Sequence, residues 1–527
     1  MSVDVVVKND APNEEDWLIP SADVVEETAL SAPGGQLADC FDSPRKNTTG
    51  TIARIEKGDV DDSSLCEQED QSASSSNEDA VSEVDADRVI SPIEPPPQPQ
   101  RSISTEETTD ALELLKEHGK HVFVMSEAGK PIYTTHGSEE DLSSLFALIH
   151  ALVSFTTARN DTLDSFQYGR LTICFTHRGP LILAAVSRVG ESQSQLNAQL
   201  DLVHSQILSV LTRTALLRVF EQRGHNFDLR RLLQGTEKSL GTAVVAAETD
   251  PAVGLNAVRV LPMVSSDRDA LGQAIVSSVN ACKVKNLVFG VIVVRRQLVT
   301  MVRMKKYALH PADLHIVLNL VACNPSFKNV ESWSPICLPR FDDSGFLHAH
   351  ISYISDNCPA CLLLLTVDRH AFYALSEVKK KFVEKLTKSK SIAALTAACN
   401  GTRCFDLDEL GYADLWHFVY KNRTSSQLCS AMFRPPFISS DERQRLIDSY
   451  ARLVDRVHDR GDDGPLKILF QPGERQTLLA WVTPNFELYS AFSPFVQKQS
   501  AVSKIDRLLK ALKKEEDRLF LVSTQTF

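Results

Sequence analysis

The sequence predicts an α+β protein: three copies of a mainly antiparallel sheet flanked by helices, behind an acidic N-terminal arm. Three observations carry this expectation. Apolar residues alternate with period two in paired runs separated by turn residues. Each pair is followed by a segment of helical period, then by further strands and a closing helix. That order recurs at spacings of roughly 110–150 residues. A chain of 527 residues is in any case too long for one hydrophobic core.

In the first unit, His121–Met125 alternates, a Gly-containing turn follows, and Pro131–Thr135 extends again, the pattern of a β-hairpin. Ser138 and Asp141 have the form of a capping box ahead of a helix over Leu142–Phe155. That helix is apolar on nearly all sides. Leu142, Leu145, Phe146, Ile149, Leu152 and Val153 share one face, and Leu148 and Phe155 widen it. What remains is a narrow row of small or polar residues: Ser143, Ala147, His150 and Ser154. A hairpin covers one side of such a helix, so a second protein surface is expected against another. The candidate interface residues are Leu142, Ala147, Leu148, His150, Ala151, Ser154 and Phe155. A weak strand over Leu163–Arg170 and a hairpin of Leu171–Thr176 with Leu181–Ser187 come next. A long helix over Ser192–Phe220 and a short one from Asn226 to Gln234 complete the unit.

The second unit opens with Leu287–Arg295 and Leu298–Met304, then a helix over Pro311–Cys323, where proline suits a first turn. Strands over Phe346–Tyr353 and Cys361–Val367 and a helix from Ala371 to Lys388 follow, while Asn324–Asp343 reads as loop. The third has Leu415–Lys421 and Gln427–Phe433, a helix over Asp441–Arg460, three strands (Leu466–Gln471, Thr477–Thr483, Phe486–Phe492) and a helix over Ser500–Lys514. The expected domains are therefore an arm over 1–110 and units over 111–240, 241–410 and 411–527.

Charge separates arm from body. Residues 1–100 hold 23 acids against 6 bases, although the whole chain is only −12. A segment so acidic, ending in the proline-rich Ile93–Gln100, cannot bury enough apolar area to offset its ordering entropy, so a disordered arm is expected. An arm that folds back and regulates the basic body, with Arg101–Glu107 as a phosphorylation switch, is the sharper alternative. No apolar run is long enough to span a bilayer, no secretory leader is expected, and eleven scattered cysteines form no disulfide framework. These features point to the cytosol.

Phosphate-cradling, dinucleotide, nucleophile-elbow and HExxH motifs are missing from the sequence. His348 and His350, upstream of Cys358 and Cys361, are the one zinc-like grouping, but a single CxxC running into an apolar strand favours structural packing. No metal or cofactor is expected. His150 lacks a partner by motif and reads as a core or interface residue. Two basic amphipathic helices, carrying Lys379, Lys380, Lys381 and Lys385, and Lys504, Arg507 and Lys510, are either solvated faces or contacts for anionic lipid. Nucleic acid is not an expected partner, since no aromatic-interleaved basic platform occurs.

The stretch Lys120–Phe155 resembles the signature of the SAND family of vacuolar-fusion proteins, as do Gly169–Arg188, Asn226–Lys238 and Asn256–Pro262. The resemblance runs from about Leu115 to the C-terminus. It implies three longin-type domains and a place in the Mon/Ccz complex, a guanine-nucleotide exchange factor for late-endosomal GTPases of the Rab-seven class. The implied partners are a Ccz-type longin subunit, that GTPase, and an anionic endosomal membrane surface to which a cytoplasmic protein is recruited. The first longin domain would be the platform for partner and GTPase. No covalent chemistry is implied. A non-catalytic longin scaffold or membrane-tethering adaptor is the alternative.

Overall fold

The computed structural model describes Val5–Val6 and residues 115–527 apart from 140, 224–226, 402–403 and 460–463. Beyond Val5–Val6 (β1), the expected acidic arm lies outside the described residues, as does Asn226. The first unit runs β2 (Lys120–Ser126), β3 (Pro131–Thr134), α1 (Ser143–Thr157), β4 (Ser165–Tyr168), β5 (Leu171–Arg178), β6 (Leu181–Ser187) and α2 (Gln193–Leu208), with sheet order β3-β2-β6-β5-β4. Leu145, Phe146, Ile149 and Val153 of α1 bury against Phe123, Met125 and Phe175 on one face of the sheet. Leu196, Leu200, Val203 and Ile207 of α2 bury against Val122, Val124 and Leu183 on the other. Period-two alternation along β2 thus feeds two cores.

Two local expectations are corrected. Ser138 and Asp141 do bond, Oγ to Oδ2 at 2.7 Å, but α1 begins at Ser143 with no side-chain cap. The expected capping box is a turn leading into the helix. The helix expected over Ser192–Phe220 is two, α2 and α3 (Arg213–Arg223). Gln206 donates to Ser209 Oγ at 3.1 Å, and Thr212 accepts from Ala215 N–H at 3.1 Å as a fresh cap. The Ser209 carbonyl released by the break accepts from Cys337 N–H of the second unit at 2.9 Å. The interruption serves docking. The next helix, α4 (Glu237–Thr249), crosses the expected boundary at 240 and gives Leu240 and Val244 to the first core.

The chain continues through β7 (Val258–Arg259), α5 (Ser265–Cys282), β8 (Leu287–Val294), β9 (Gln297–Arg303), α6 (Pro311–Cys323), β10 (Ser332–Leu338), β11 (Asp342–Ser355), β12 (Cys358–Thr366) and α7 (Phe372–Lys388). Strand β10 lies inside the stretch expected to be loop. It is an edge strand, where Pro335 is tolerated because one side of the backbone needs no ladder partner. The third unit is β13 (Leu415–Asn422), β14 (Gln427–Ser430), α8 (Ser440–His458), β15 (Ile468–Gln471), β16 (Thr477–Val482), β17 (Phe486–Phe492) and α9 (Lys498–Lys514), with β18 (Gln525–Thr526) closing the chain. The sheet orders are β10-β11-β12-β8-β9-β18 and β1-β15-β16-β17-β13-β14-β7. In all three sheets the first hairpin strand lies beside the last meander strand, so the units share one connectivity. Two short strands are exchanged: β7 pairs parallel with β14 of the third sheet, and β18 pairs parallel with β9 of the second.

Arg268 of α5 fixes that exchange. It is 3% exposed, and its guanidinium donates to the carbonyls of Leu261, Asp517, Arg518 and Phe520 at 2.8–2.9 Å. Removing the donor leaves several buried carbonyls unsatisfied. Arg268→Met should therefore accelerate amide exchange across residues 516–521 at least tenfold, equivalent to about 1.4 kcal/mol of local stability. Exchange at the parental rate would refute the clamp.

Asp313, in the first turn of α6, is fully buried and accepts from Arg340 N–H at 3.1 Å. Burial pushes its carboxyl up to about 6, above the roughly 3.9 of an unfolded aspartate. An acid raised in the folded state opposes folding as pH climbs from its unfolded value through its folded one. Asp313→Asn should consequently raise the melting temperature at pH 7.5, with the gain disappearing at pH 4. A gain equal at both pH values would contradict this assignment.

Candidate interaction surface

The helix after the opening hairpin meets three different fates. In the second unit α6 is buried over Asp313–Asn319, with its first two residues and Leu320 half-buried and Ala322 exposed. Asn319 donates to Gln206 Oε1 at 3.0 Å and the Ser239 carbonyl at 2.9 Å, and His315 Nε2 bonds the Ala257 carbonyl at 2.9 Å. In the third unit α8 is partly covered by the first, where Gln195 donates to the Ala451 carbonyl at 2.6 Å and Gln444 to the Glu248 carbonyl at 3.0 Å. What stays open there is mostly charged, such as Arg445, Arg452 and Arg456. Among the described residues the outer side of α1 has no such cover. Leu148 and Phe155 are 55% and 57% exposed, and Ala147, Ala151 and Ser154 are exposed beside them. The Arg159 guanidinium lies 4.0 Å over the Phe155 ring, which shields one face of it. Edge strand β4 adds two exposed aromatics, Phe166 and Tyr168. Their alternation in Ser165-Phe166-Gln167-Tyr168 was a legible signal in a strand too short to weigh strongly.

Two of the expected interface residues have other duties. Leu142 is fully buried with Phe123 and Phe146 and is withdrawn from the surface, because it sits in the turn that pins α1 to the sheet. His150 Nε2 bonds the Glu127 carbonyl at 3.1 Å, holding the β2–β3 turn against α1. Gly129 there has φ +78°, and a Cβ at that position would lie 2.7 Å from the His150 ring. Both the backbone conformation and the contact require glycine.

The basic helices are largely tied to the body. Lys379 pairs with Glu331 at 3.1 Å, Lys385 donates to Ser277 Oγ at 2.7 Å, and Lys381 donates to the Ala281 carbonyl at 3.4 Å. Lys380 is exposed, 4.0 Å from Glu377. Lys504 pairs with Asp414, Lys510 with Asp506 at 2.7 Å, and Arg507 donates to Tyr412 Oη at 3.1 Å. Most of the seven are therefore structural links first.

The four zinc-like residues do not converge. His348 stacks on Trp333, and His350 Nε2 bonds Glu331 at 3.1 Å. Cys358 packs in the core under α7, its thiolate form favoured by a hydrogen bond from Cys399, whereas Cys361 lies in the core of the opposite sheet face with its thiol pushed up to about 12 by burial. Among the described residues no group of histidine, cysteine or acid side chains could hold a metal ion. Nor is any described helix long and apolar enough to cross a membrane.

Three repeats of this sheet-and-helix connectivity, with one helix face left bare, define a multi-longin interaction protein. Residues 120–242, 285–384 and 414–516 match the first, second and third longin domains of FUZ, MON1 and HPS1. The chain is 40% identical over 439 residues to vacuolar fusion protein MON1 homolog A of Gallus gallus, covering 82% of this chain and 78% of the relative. It is 41% identical over 417 residues to Protein SAND of Takifugu rubripes (79% and 78% covered) and 40% identical over 434 residues to MON1 homolog A of Homo sapiens (82% and 65%). The chain belongs to the MON1/SAND family of vacuolar fusion proteins, with three longin domains and a role in vacuolar fusion and trafficking.

Burial separates the two faces of α1 energetically. Phe146→Ala should cost about 3–5 kcal/mol in urea unfolding, against less than about 1 kcal/mol for Phe155→Ala. Equal losses would mean that the exposed face is a folding surface after all.

Proposed function

We propose that this chain is a subunit of a heteromeric guanine-nucleotide exchange factor that activates a late-endosomal GTPase of the Rab-seven class. Its first longin domain pairs with the longin domain of a Ccz-type subunit through the outer side of α1. The observation that carries the reading is that exposed apolar face, since among the described residues α6 is buried within the chain and α8 is partly covered, its open side mostly charged. Membership of a vacuolar fusion family supports the endosomal setting. The complex acts at the cytoplasmic side of an anionic endosomal membrane, and its exchange step involves no covalent chemistry. A factor that binds the nucleotide-free GTPase more tightly than the loaded one weakens nucleotide binding by the same ratio.

Leu148→Asp with Phe155→Asp should abolish co-purification with the Ccz-type subunit and reduce GTPase nucleotide release to the unassisted rate. The readout is release of a fluorescent nucleotide from the GTPase, with partner subunit and anionic liposomes present. Parental release without acceleration over the partner alone would favour the alternative, a scaffold or tethering adaptor. A variant that still pairs would remove α1 from the interface.

A further inference from the structure

The first and third units enclose a cavity of about 460 Å³, within the size range of small-molecule sites, which favour domain junctions. Its walls are mostly apolar, with Val189 and Val253 on one side and Ile447 and Val454 of α8 on the other. Its polar part centres on Lys120, whose side chain is 5% exposed. Lys120 donates to Glu191 at 2.7 Å and stands 3.4 Å from Glu248. Glu191 also accepts from Ser187 Oγ and Gln199 Nε2, each at 2.7 Å, so its demand is met.

Glu248 and Asp448 are less well served. Glu248 keeps the longer share of Lys120. Asp448 accepts from Gln444 Nε2 at 2.9 Å, and the same amide donates to the Glu248 backbone carbonyl at 3.0 Å. The Glu248 and Asp448 carboxylates both line the cavity, where the Asp448 charge bears on Glu248. Burial pushes both carboxyls up, as it does where a charge lacks a full partner. Asp250, also in the lining, is already matched by Arg259 at 2.9 Å. With His118 and His136 of the lining counted as neutral, the remaining acids (Glu191, Glu248, Asp448) outnumber the bases (Lys120, Arg452) by one.

We propose that this cavity binds an amphipathic organic cation, its apolar body between Val253 and Ile447 and its ammonium group at Glu248 and Asp448. An anion would meet both carboxylates at close range, and a neutral molecule would desolvate them without pairing either. A lone basic side chain from another protein would leave most of the space unfilled.

The probe is dansylcadaverine, an apolar dansyl group carrying a primary ammonium, titrated into the full chain at pH 7.4. The expected result is a saturable rise in dansyl emission, with a dissociation constant at least tenfold below that of dansylamide, which lacks the ammonium. Glu248→Gln with Asp448→Asn should erase that preference, and Ala198→Trp, which fills the cavity from α2, should abolish binding of both probes. Circular dichroism verifies that each variant is folded. The probe pair on the parental chain decides the matter even if a variant fails to fold. Absence of saturation, equal affinity for the two probes, or a preference surviving in a folded double variant would overturn the assignment.

Discussion

Cover for the outer side of the helix following each opening hairpin is the constraint on which the architecture depends. In α6 that cover is demanding, because Asp313, His315 and Asn319 are all buried. A buried polar group without a partner costs on the order of 1–3 kcal/mol. Their partners are Arg340 of the same unit, Ala257 of the connecting segment, and Gln206 and Ser239 of the first unit. Of the three, Asn319 depends directly on the docking of the first unit onto α6. The break after α2 adds a further link to the second unit, from Cys337 N–H to the Ser209 carbonyl.

The surface of α1 is built on the opposite plan. Ala147, Ala151 and Ser154 let another backbone come close, and the row brings few polar groups that would need satisfying. Leu148 and Phe155 are the natural anchors, but each is already nearly half covered. Completing their burial is worth about 1–2 kcal/mol apiece, far short of the roughly 8 kcal/mol of a micromolar complex. A stable partner must therefore reach further, and the adjoining exposed aromatics of β4, Phe166 and Tyr168, extend the area available to it.

Legibility in the sequence tracked the range of the interactions. Helix α6 was read to its end residues because Pro311 and the apolar run after it are local signals, and the alternation of Phe486–Phe492 fixed β17 equally well. What escaped depends on distant residues. The division of Ser192–Phe220 answers to Cys337, and β10 was hidden by Pro335, which only an edge position makes harmless. The basic helices looked free because Glu331 and Asp414 lie far away in the chain. At the candidate surface, helical period identified the greasy rod but not which of its sides the hairpin would take, so Leu142 was misplaced.

The same distribution of partners bears on the proposed exchange activity. Two of its perturbed groups, Glu487 and Arg259, are used up in the structure. Burial would raise the Glu487 carboxyl, yet His458, Lys421 and Tyr489 hold it down to about 2, and Arg259 is closed on Asp250. Nucleotide exchange asks for something else: a difference in affinity between two states of a bound GTPase. Weakening nucleotide a thousandfold requires about 4 kcal/mol of differential binding. Two or three well-seated apolar anchors supply that much at an interface, with no proton to move. The exposed side of α1, assigned above to the Ccz-type subunit, serves the proposed activity by assembling the complex whose combined surface would make that distinction.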